Sequence, residues 1–392
     1  MARTIAAGID IGTAHIKVVL AERIETNGHD GIRVIGTGTA ESRGLRHGYI
    51  TNPAETAKSI RLAVRQAEKT AGIKIRKTFL SVGGVGLAGT TAQGSIIASR
   101  ADSEITDLDV KKAQEVCEHE LPASASLNRK VLHAIPLGYK IDGKPVLGRP
   151  AGMKGMKLEA KMLFITCLEQ HLQDLVGVLG DVGIEVEDVM ASPIAESIAC
   201  LTKAQKIAGC VLANIGAETV SIVVFENNIP ISIEVFPIGS TNITHDIALG
   251  LRVPIEEAEK IKLGFSTESS YSKKKLDEIV LARLSDIFEL IENNLKKIGR
   301  DELLPAGIIM SGGGAGLDSI DEIARLALKI PSRLAHISFE SGSKTALRDT
   351  SFAIAYGLCM LGMTQSDEPS IGIKLMRGTK NNIIAWIKQF LP

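Results

Sequence analysis

One loop pattern occurs twice in this chain, about two hundred residues apart, and it constrains the fold more than any other feature. The first copy, GIDIGTAHIKVVLAE, runs from Gly8 to Glu22, and the second, LANIGAETVSIVVFENN, runs from Leu212 to Asn228. Each copy continues from Ile-Gly through a few small or polar residues into a run rich in β-branched residues. This pattern predicts a strand, a tight turn whose glycine lets backbone N–H groups approach an anion, and a return strand.

A third glycine-rich segment, AGIIMSGGGAGLDSI, occupies Ala306–Ile320. Glycine is the residue that lets backbone lie directly against a flat ligand. Two facing hairpins combined with such a segment resemble the superfamily of actin, Hsp70 and sugar kinases, which clamps the phosphates of ATP between the hairpins. The resemblance implies ATP and Mg²⁺ as ligands, with Asp10 at the metal and Lys17 near the β- and γ-phosphates. The implied nucleotide contacts are Asp10, Gly12, Thr13 and Lys17 in the first loop; Asn214, Gly216, Ala217, Glu218 and Thr219 in the second; and Gly312, Gly313, Gly314 and Ala315 on the adenosine side.

A helical motif supplies a further candidate contact. Glu259, Lys262 and Ser266 are spaced at i, i+3 and i+7, which places them on one helix face. In proteins that resemble Hsp70 this face touches the purine and the ribose. The alternative is an exposed ion pair between Glu259 and Lys262.

The second loop departs from the superfamily pattern. Asn214 stands where an aspartate usually orients metal-bound water, and Glu218 replaces a usual glycine. An amide accepts hydrogen bonds but brings no negative charge to Mg²⁺. Glu218 either supplies a compensating carboxylate or crowds the γ-phosphate, and the sequence leaves both open. We therefore expect ATP binding with slow hydrolysis or none.

Composition excludes several classes of protein. The 392 residues are 45% hydrophobic and 23% charged with a net charge of zero, which indicates an ordinary globular chain of two or more domains without an affinity for nucleic acid. No run of about 18 apolar residues occurs and the N-terminus lacks the apolar core of a signal peptide, so we expect a cytoplasmic protein. The cysteines have no metal-site spacing and are expected to be reduced, packed thiols. They are Cys117, Cys167, Cys200, Cys210 and Cys359.

Hydrophobic periodicity predicts the order of the elements. The predicted strands are Thr4–Ile11, Ile16–Glu22, Ile32–Ala40, Lys77–Val82, Ala92–Ser99, Val131–Ile141 and Lys161–Ile165, with a glycine- and proline-rich loop at 142–160. The predicted helices are Pro53–Thr70, Asp107–Leu121, Leu168–Leu179, Pro193–Ala208, Lys273–Lys297 and Ser351–Met363.

Together these features predict an α/β chain with a two-lobed actin-like ATPase fold, an inserted small α/β subdomain in the first lobe and a C-terminal amphipathic helix. The predicted parts are subdomain 1A at 1–83, 167–203 and 353–363; inserted subdomain 1C at 84–166; subdomain 2A at 204–238 and 300–352; subdomain 2B at 239–299; a linker at 364–370; and a tail at 371–392.

The tail has a basic, amphipathic character. After Glu368 it contains no acidic residue, and its last dozen residues place apolar side chains on one broad helical face. The residues that we expect to contact a membrane are Ile383, Ile384, Trp386, Ile387, Lys388, Phe390 and Leu391. An interfacial helix on an anionic surface fits this pattern. The alternative is a C-terminal helix docked on the protein's own core.

Several longer segments together resemble FtsA, the bacterial cell-division actin homologue, along essentially the whole chain. They are GIDIG, the inserted KVLHAIPLGYKIDG and PAGMKGMKLEA, EEAEKIKLGFS, MSGGGAGL, SFAIAYGL and the amphipathic C-terminus. The resemblance implies head-to-tail filaments that tether FtsZ to the cytoplasmic face of the inner membrane at the division septum. It also implies that the C-terminal peptide of FtsZ binds the helical stretch Lys273–Lys297, with Arg283, Asn293 and Lys297 as plausible contacts.

Two other functions remain open on the sequence. A small-metabolite kinase of the same superfamily would need an aspartate base in the interlobe cleft, and no segment suggests one. A scaffold like the pilus-assembly actin relative PilM would have a similar inserted subdomain but normally lacks a basic amphipathic tail. Residues 371–392 are therefore the feature that distinguishes the two scaffolds.

Overall fold

The computed structural model describes residues 4–26, 29–265, 271–337 and 350–365. Its strands are β1 Ile5–Ile11, β2 His15–Thr26, β3 His29–Glu41, β4 Leu45–Arg46, β5 Tyr49–Ile50, β6 Lys77–Val82, β7 Ala88–Ile97, β8 Arg129–Ile141, β9 Lys144–Val146, β10 Lys157–Leu168, β11 Glu185–Ala191, β12 Cys210–Ile215, β13 Val220–Glu226, β14 Ile229–Phe236, β15 Gly307–Ser311 and β16 Ser332–Leu334. Its α-helices are α1 Pro53–Ala71, α2 Asp107–His119, α3 Ala123–Ser126, α4 Glu169–Val182, α5 Ser192–Cys200, α6 Lys203–Ala208, α7 Ser240–Leu251, α8 Ile255–Lys262, α9 Lys273–Lys297, α10 Ile320–Leu328 and α11 Ala353–Gln365.

Two five-stranded sheets share one topology. The first has the order β11-β6-β1-β2-β3 and the second the order β16-β15-β12-β13-β14. In each sheet the central strand, β1 or β12, is antiparallel to the strand that follows it and parallel to the strand on its other side, β6 or β15. The repeated loop therefore marks a repeated α/β unit, and the predicted actin-like fold is confirmed.

The central strand of the second sheet is buried on both faces. Cys210 and Leu212 pack in the core that the second sheet shares with the first lobe, whereas Val211, Ala213 and Ile215 pack in the core of the second lobe. This division follows from the alternation of side chains along a strand. Burial of each Val, Leu or Ile side chain contributes about 1.5–3 kcal/mol to stability. These contacts therefore fix β12 between the two cores.

Helix α11 brings the chain back to the first lobe. It packs on β1, β2, β6 and α5. Its approach to α5 is close, because a Cβ placed on Gly357 would lie 1.8 Å from the carbonyl oxygen of Ala195. Glycine at 357 therefore allows α11 to fix the position of α5, which lies beneath the candidate site.

The inserted unit is an antiparallel sheet, β7-β10-β8-β9, covered by α2. Thr106 and Asp109 form a capping box that begins α2. Its own core includes Ile105, Met162 and Phe164.

Two predicted segments differ from the structure. The single helix expected at 193–208 is two helices, because Leu201 is extended and Thr202 starts α6 with a capping box to Gln205. The loop expected at 142–160 contains β9 and the start of β10, since this part of the chain pairs with β8 despite its glycines and prolines.

All five cysteines are buried and none is in a disulfide, as expected from their spacing. In the part of the chain that the structure describes, no helix is both long and apolar enough to cross a membrane.

A candidate nucleotide cleft

A cleft of about 1340 Å³ is lined by residues of both sheets and of the helices around them. Most of the predicted contacts meet here. The predicted residues that line the cleft are Asp10, Gly12, Thr13, Lys17, Asn214, Gly216, Ala217, Thr219, Glu259, Lys262, Gly312, Gly313 and Gly314. Glu218 and Ala315 do not line it, and Ser266 lies outside the described residues.

The first loop presents a buried carboxyl beside a lysine. Asp10 and Lys17 are directly opposed across the β1–β2 ladder. The Ser81 hydroxyl donates a hydrogen bond to Asp10 Oδ1 at 2.7 Å. Burial raises the pKa of Asp10, while Lys17 and the Ser81 hydrogen bond oppose the rise. A cation in the cleft would favour the ionised form further.

The turns of the two loops have matching geometry. A Cβ on Gly12 would lie 2.9 Å from the carbonyl oxygen of His15, and a Cβ on Gly216 would lie 2.8 Å from that of Thr219. Each turn also accepts hydrogen bonds from a neighbouring segment of the chain. Ser42 donates to the carbonyl oxygens of the first turn, and the N–H groups of residues 240 and 241 donate to those of the second. These bonds fix both turns without any ligand.

The second loop rests on a buried glutamate. The Asn214 amide Nδ2 donates to Glu196 Oε1 at 2.6 Å, and Glu196 is fully buried on α5. Burial raises the pKa of Glu196 to about 7, against the hydrogen bonds from Ser311 and Asn214. Sequence reasoning missed both Ser81 and Glu196, although a lone charged residue within the apolar SPIAESIAC was a signal for the latter.

Glu218 points to the first lobe instead of the cleft. Its carboxylate accepts a hydrogen bond from the backbone N–H of His47, in the turn between β4 and β5. The Glu218 carboxylate is thus engaged in a contact between the two lobes, and Glu218 does not line the cleft.

Glu259 and Lys262 form an ion pair in which the lysine is shielded and the glutamate side chain is 44% exposed. Lys262 Nζ lies 2.7 Å from Glu259 Oε2 and 2.9 Å from Thr244 Oγ1. The Lys262 side chain is only 6% exposed. The alternative of an ion pair is therefore confirmed for the pairing, with Glu259 exposed and Lys262 shielded, and both residues line the cleft.

The glycine segment forms one wall. Gly312 has φ +86°, and a Cβ there would lie 2.6 Å from the carbonyl oxygen of Ile215. A Cβ on Gly313 would meet no atom within 4 Å, so its backbone borders open space. Ala315 is buried behind this wall.

These residues fit a magnesium nucleotide. Among the described residues no three His, Cys, Asp or Glu side chains are grouped as a complete metal site. Mg²⁺ usually binds one or two carboxylates and takes its other ligands from phosphates and water. Asp10, which is buried at the cleft, is suited to that limited role.

The other predicted contacts lie elsewhere. Arg283 on α9 makes a two-pronged ion pair with Asp246 and a further pair with Asp286, while Asn293 and Lys297 are exposed. The predicted membrane contacts Ile383, Ile384, Trp386, Ile387, Lys388, Phe390 and Leu391 lie outside the described residues.

Solved structures of other proteins share this architecture. The chain superposes on a structure titled "PilM-PilN type IV pilus biogenesis complex" with a TM-score of 0.67 at 16% identity, over 93% of this chain and 99% of that one. It superposes on MreB5 of Spiroplasma citri bound to ADP with a TM-score of 0.52 at 11% identity, over 93% and 99% of the two chains. At these identities the likeness shows the fold alone.

Sequence comparison is more specific. The family model for the cell division protein FtsA matches residues 211–357, and the model for the SHS2 domain inserted in FtsA matches residues 86–166. FtsA of Neisseria meningitidis is 30% identical over 89% of this chain and 88% of its own length. FtsA of Pseudomonas aeruginosa is 29% identical over 93% of this chain and 91% of its own length. The fold, the inserted domain and these relatives agree, and the chain belongs to the FtsA family of cell division proteins.

Proposed function

We propose that this protein binds ATP with Mg²⁺ in the cleft, assembles head to tail, and tethers FtsZ filaments to the cytoplasmic face of the inner membrane at the division septum. The observation that carries the nucleotide part is the meeting of both turn loops and the glycine wall in one cleft. Membership of the FtsA family supports the cell-division part. The ADP bound to MreB5, which shares the fold, supports the choice of ligand class.

The residues of the cleft have distinct roles in this proposal. Asp10 would hold Mg²⁺ and Lys17 would face phosphate, while the backbone at Gly313 would lie against the nucleoside. Mg²⁺ supplies charge neutralisation of the phosphates when it is bound. Asn214 brings no carboxylate to that metal, and Glu218 is engaged with His47, so turnover is expected to be slow or absent.

The membrane part rests on the composition of the tail. Its six apolar side chains would contribute roughly 10 kcal/mol if all were fully buried, and ordering about a dozen residues as a helix offsets most of this. Each nearby Lys or Arg adds about 1 kcal/mol on an anionic surface. A single tail would therefore bind reversibly, and a filament of tails would bind firmly through avidity.

Co-sedimentation with anionic vesicles tests the proposal. The intact protein with ATP should carry FtsZ into the vesicle pellet, whereas a chain truncated after residue 370 should bind FtsZ in solution without pelleting. Failure of the intact protein to recruit FtsZ would contradict the tether. A phosphate-transfer assay on sugars tests the kinase alternative, and PilM-like scaffolding is disfavoured by the FtsA relatives.

A further inference from the structure

Glu196 is the one charged residue of α5, and it lies behind Asn214, which lines the cleft. The Glu196 side chain has no exposure to solvent, and its Oε2 atom has no hydrogen-bond partner within the described residues. Leaving a buried carboxyl oxygen unpaired costs free energy. The contact of α11 with α5 at Gly357 holds this carboxyl in place.

The hydrogen bond from Asn214 orients an amide that would otherwise be free to turn. Nδ2 of Asn214 donates to Glu196 Oε1, and an amide nitrogen carries only donors, so the amide oxygen must face away from this contact. Oδ1 of Asn214 then lies on the opposite side, where a Cβ on Gly312 would be 2.7 Å from it and a Cβ on Gly216 3.8 Å. Both glycines line the cleft, so the amide oxygen is on the cleft side.

We propose that Glu196 is a positioning residue that holds the Asn214 amide with its oxygen toward the cleft. Asn214 then offers a magnesium nucleotide an acceptor oxygen at the place where the superfamily usually has an aspartate oxygen. The inference rests on the proposed nucleotide binding. It adds Glu196 as the residue that determines which way the Asn214 amide is oriented.

This arrangement has a specific consequence for Asn214→Asp. An aspartate at 214 has no N–H to donate to Glu196, so the two carboxyl groups at hydrogen-bond distance are tolerated only if they share one proton, because they cannot both ionise without a large penalty. Restoring the usual aspartate is therefore harmful while Glu196 is present. It becomes favourable only when Glu196 is also replaced, because an aspartate offers an oxygen in either orientation.

The test is a double-mutant cycle read by the affinity for a fluorescent ATP analogue with Mg²⁺. Glu196→Ala and Asn214→Asp should each weaken binding about tenfold, as is typical when a group that orients a ligating residue is lost. The double variant should return to within about threefold of wild type. Glu196→Gln keeps an acceptor oxygen and should bind within about threefold of wild type.

The matched control is Ser197→Ala. Ser197 is buried on the same helix, but within the described part of the chain its hydroxyl bonds only to the carbonyl oxygen of Ile194. Losses that add in the double variant, or unchanged affinity in Glu196→Ala, would overturn the inference while leaving nucleotide binding intact. If wild type binds no ATP, the proposed function fails by itself. Urea unfolding without nucleotide then tests the inference. Asn214→Asp should lower the free energy of unfolding in the wild-type background but not in the Glu196→Ala background.

Discussion

Glu196 should make the stability of this protein fall as pH rises through neutrality. Burial raises its pKa from 4.5 to about 7. Between these values the unfolded chain has released a proton that the folded protein still holds, so the free energy of unfolding decreases with rising pH. At about 1.4 kcal/mol per pKa unit, the full loss is about 3 kcal/mol and is complete somewhat above pH 7.

Burial sets the sign of this effect, and the groups that face Glu196 modify its size. The charge of Asp10 raises the pKa of Glu196, and that of Lys17 lowers it. Burial raises the pKa of the neighbouring Cys200 thiol, which stays neutral through this range. The stabilising contribution is thus present below about pH 4.5 and is lost toward about pH 7.

Urea unfolding of wild type and Glu196→Gln at pH 5 and pH 8 measures the effect. The glutamine cannot ionise, so the stability of wild type relative to this variant should drop by about 2.5 kcal/mol between the two pH values, since part of the full loss has already occurred at pH 5. Ser197→Ala should follow wild type at both. A difference between wild type and Glu196→Gln that stays constant within about 0.5 kcal/mol would refute the reasoning.

Three further outcomes are expected. Asp10→Ala should weaken binding of ATP with Mg²⁺ at least about tenfold by equilibrium titration, since a charged contact is worth about 1.5–3 kcal/mol; unchanged affinity would remove Asp10 from the metal site. Reversing the charges of Lys296 and Lys297 should weaken binding of an FtsZ tail peptide about 3- to 10-fold by fluorescence anisotropy, whereas Lys203→Glu, on the exposed face of α6, should not. Trp386→Glu should abolish sedimentation with anionic vesicles while nucleotide binding persists. Because Trp386 is the sole tryptophan, its emission in wild type should shift blue on adding vesicles, and an emission already blue without lipid would favour a docked helix.

Local patterns predicted most of the elements around the cleft. Helix α9 has the predicted bounds Lys273–Lys297, because Ser272 caps its start and buried residues recur at helical spacing. Both turn loops were also predictable, since glycine and flanking β-branched residues specify a hairpin locally.

Contacts between distant segments were not predictable in the same way. Glu218 meets His47 across 171 positions of sequence, and no local pattern specifies that pairing. Glu196 meets Asn214 because α5 passes beneath the second sheet, which depends on how α11 packs. The break at Leu201 was missed because the capping box at Thr202 lies inside a run with helical periodicity.

Because α11 packs on the first sheet, any force applied at the C-terminal end of the chain would act first on the first lobe. This helix is packed against β1 and β2, so a force applied to the chain beyond it is transmitted to the first sheet. The second lobe receives that force through α5, through the contacts of β14 with the inserted sheet, and through the bond between His47 and Glu218. A rotation between lobes would then swing the second lobe, with α9 on it, relative to a stationary anchor. Helix α9 would then move with the second lobe about the cleft between the two sheets.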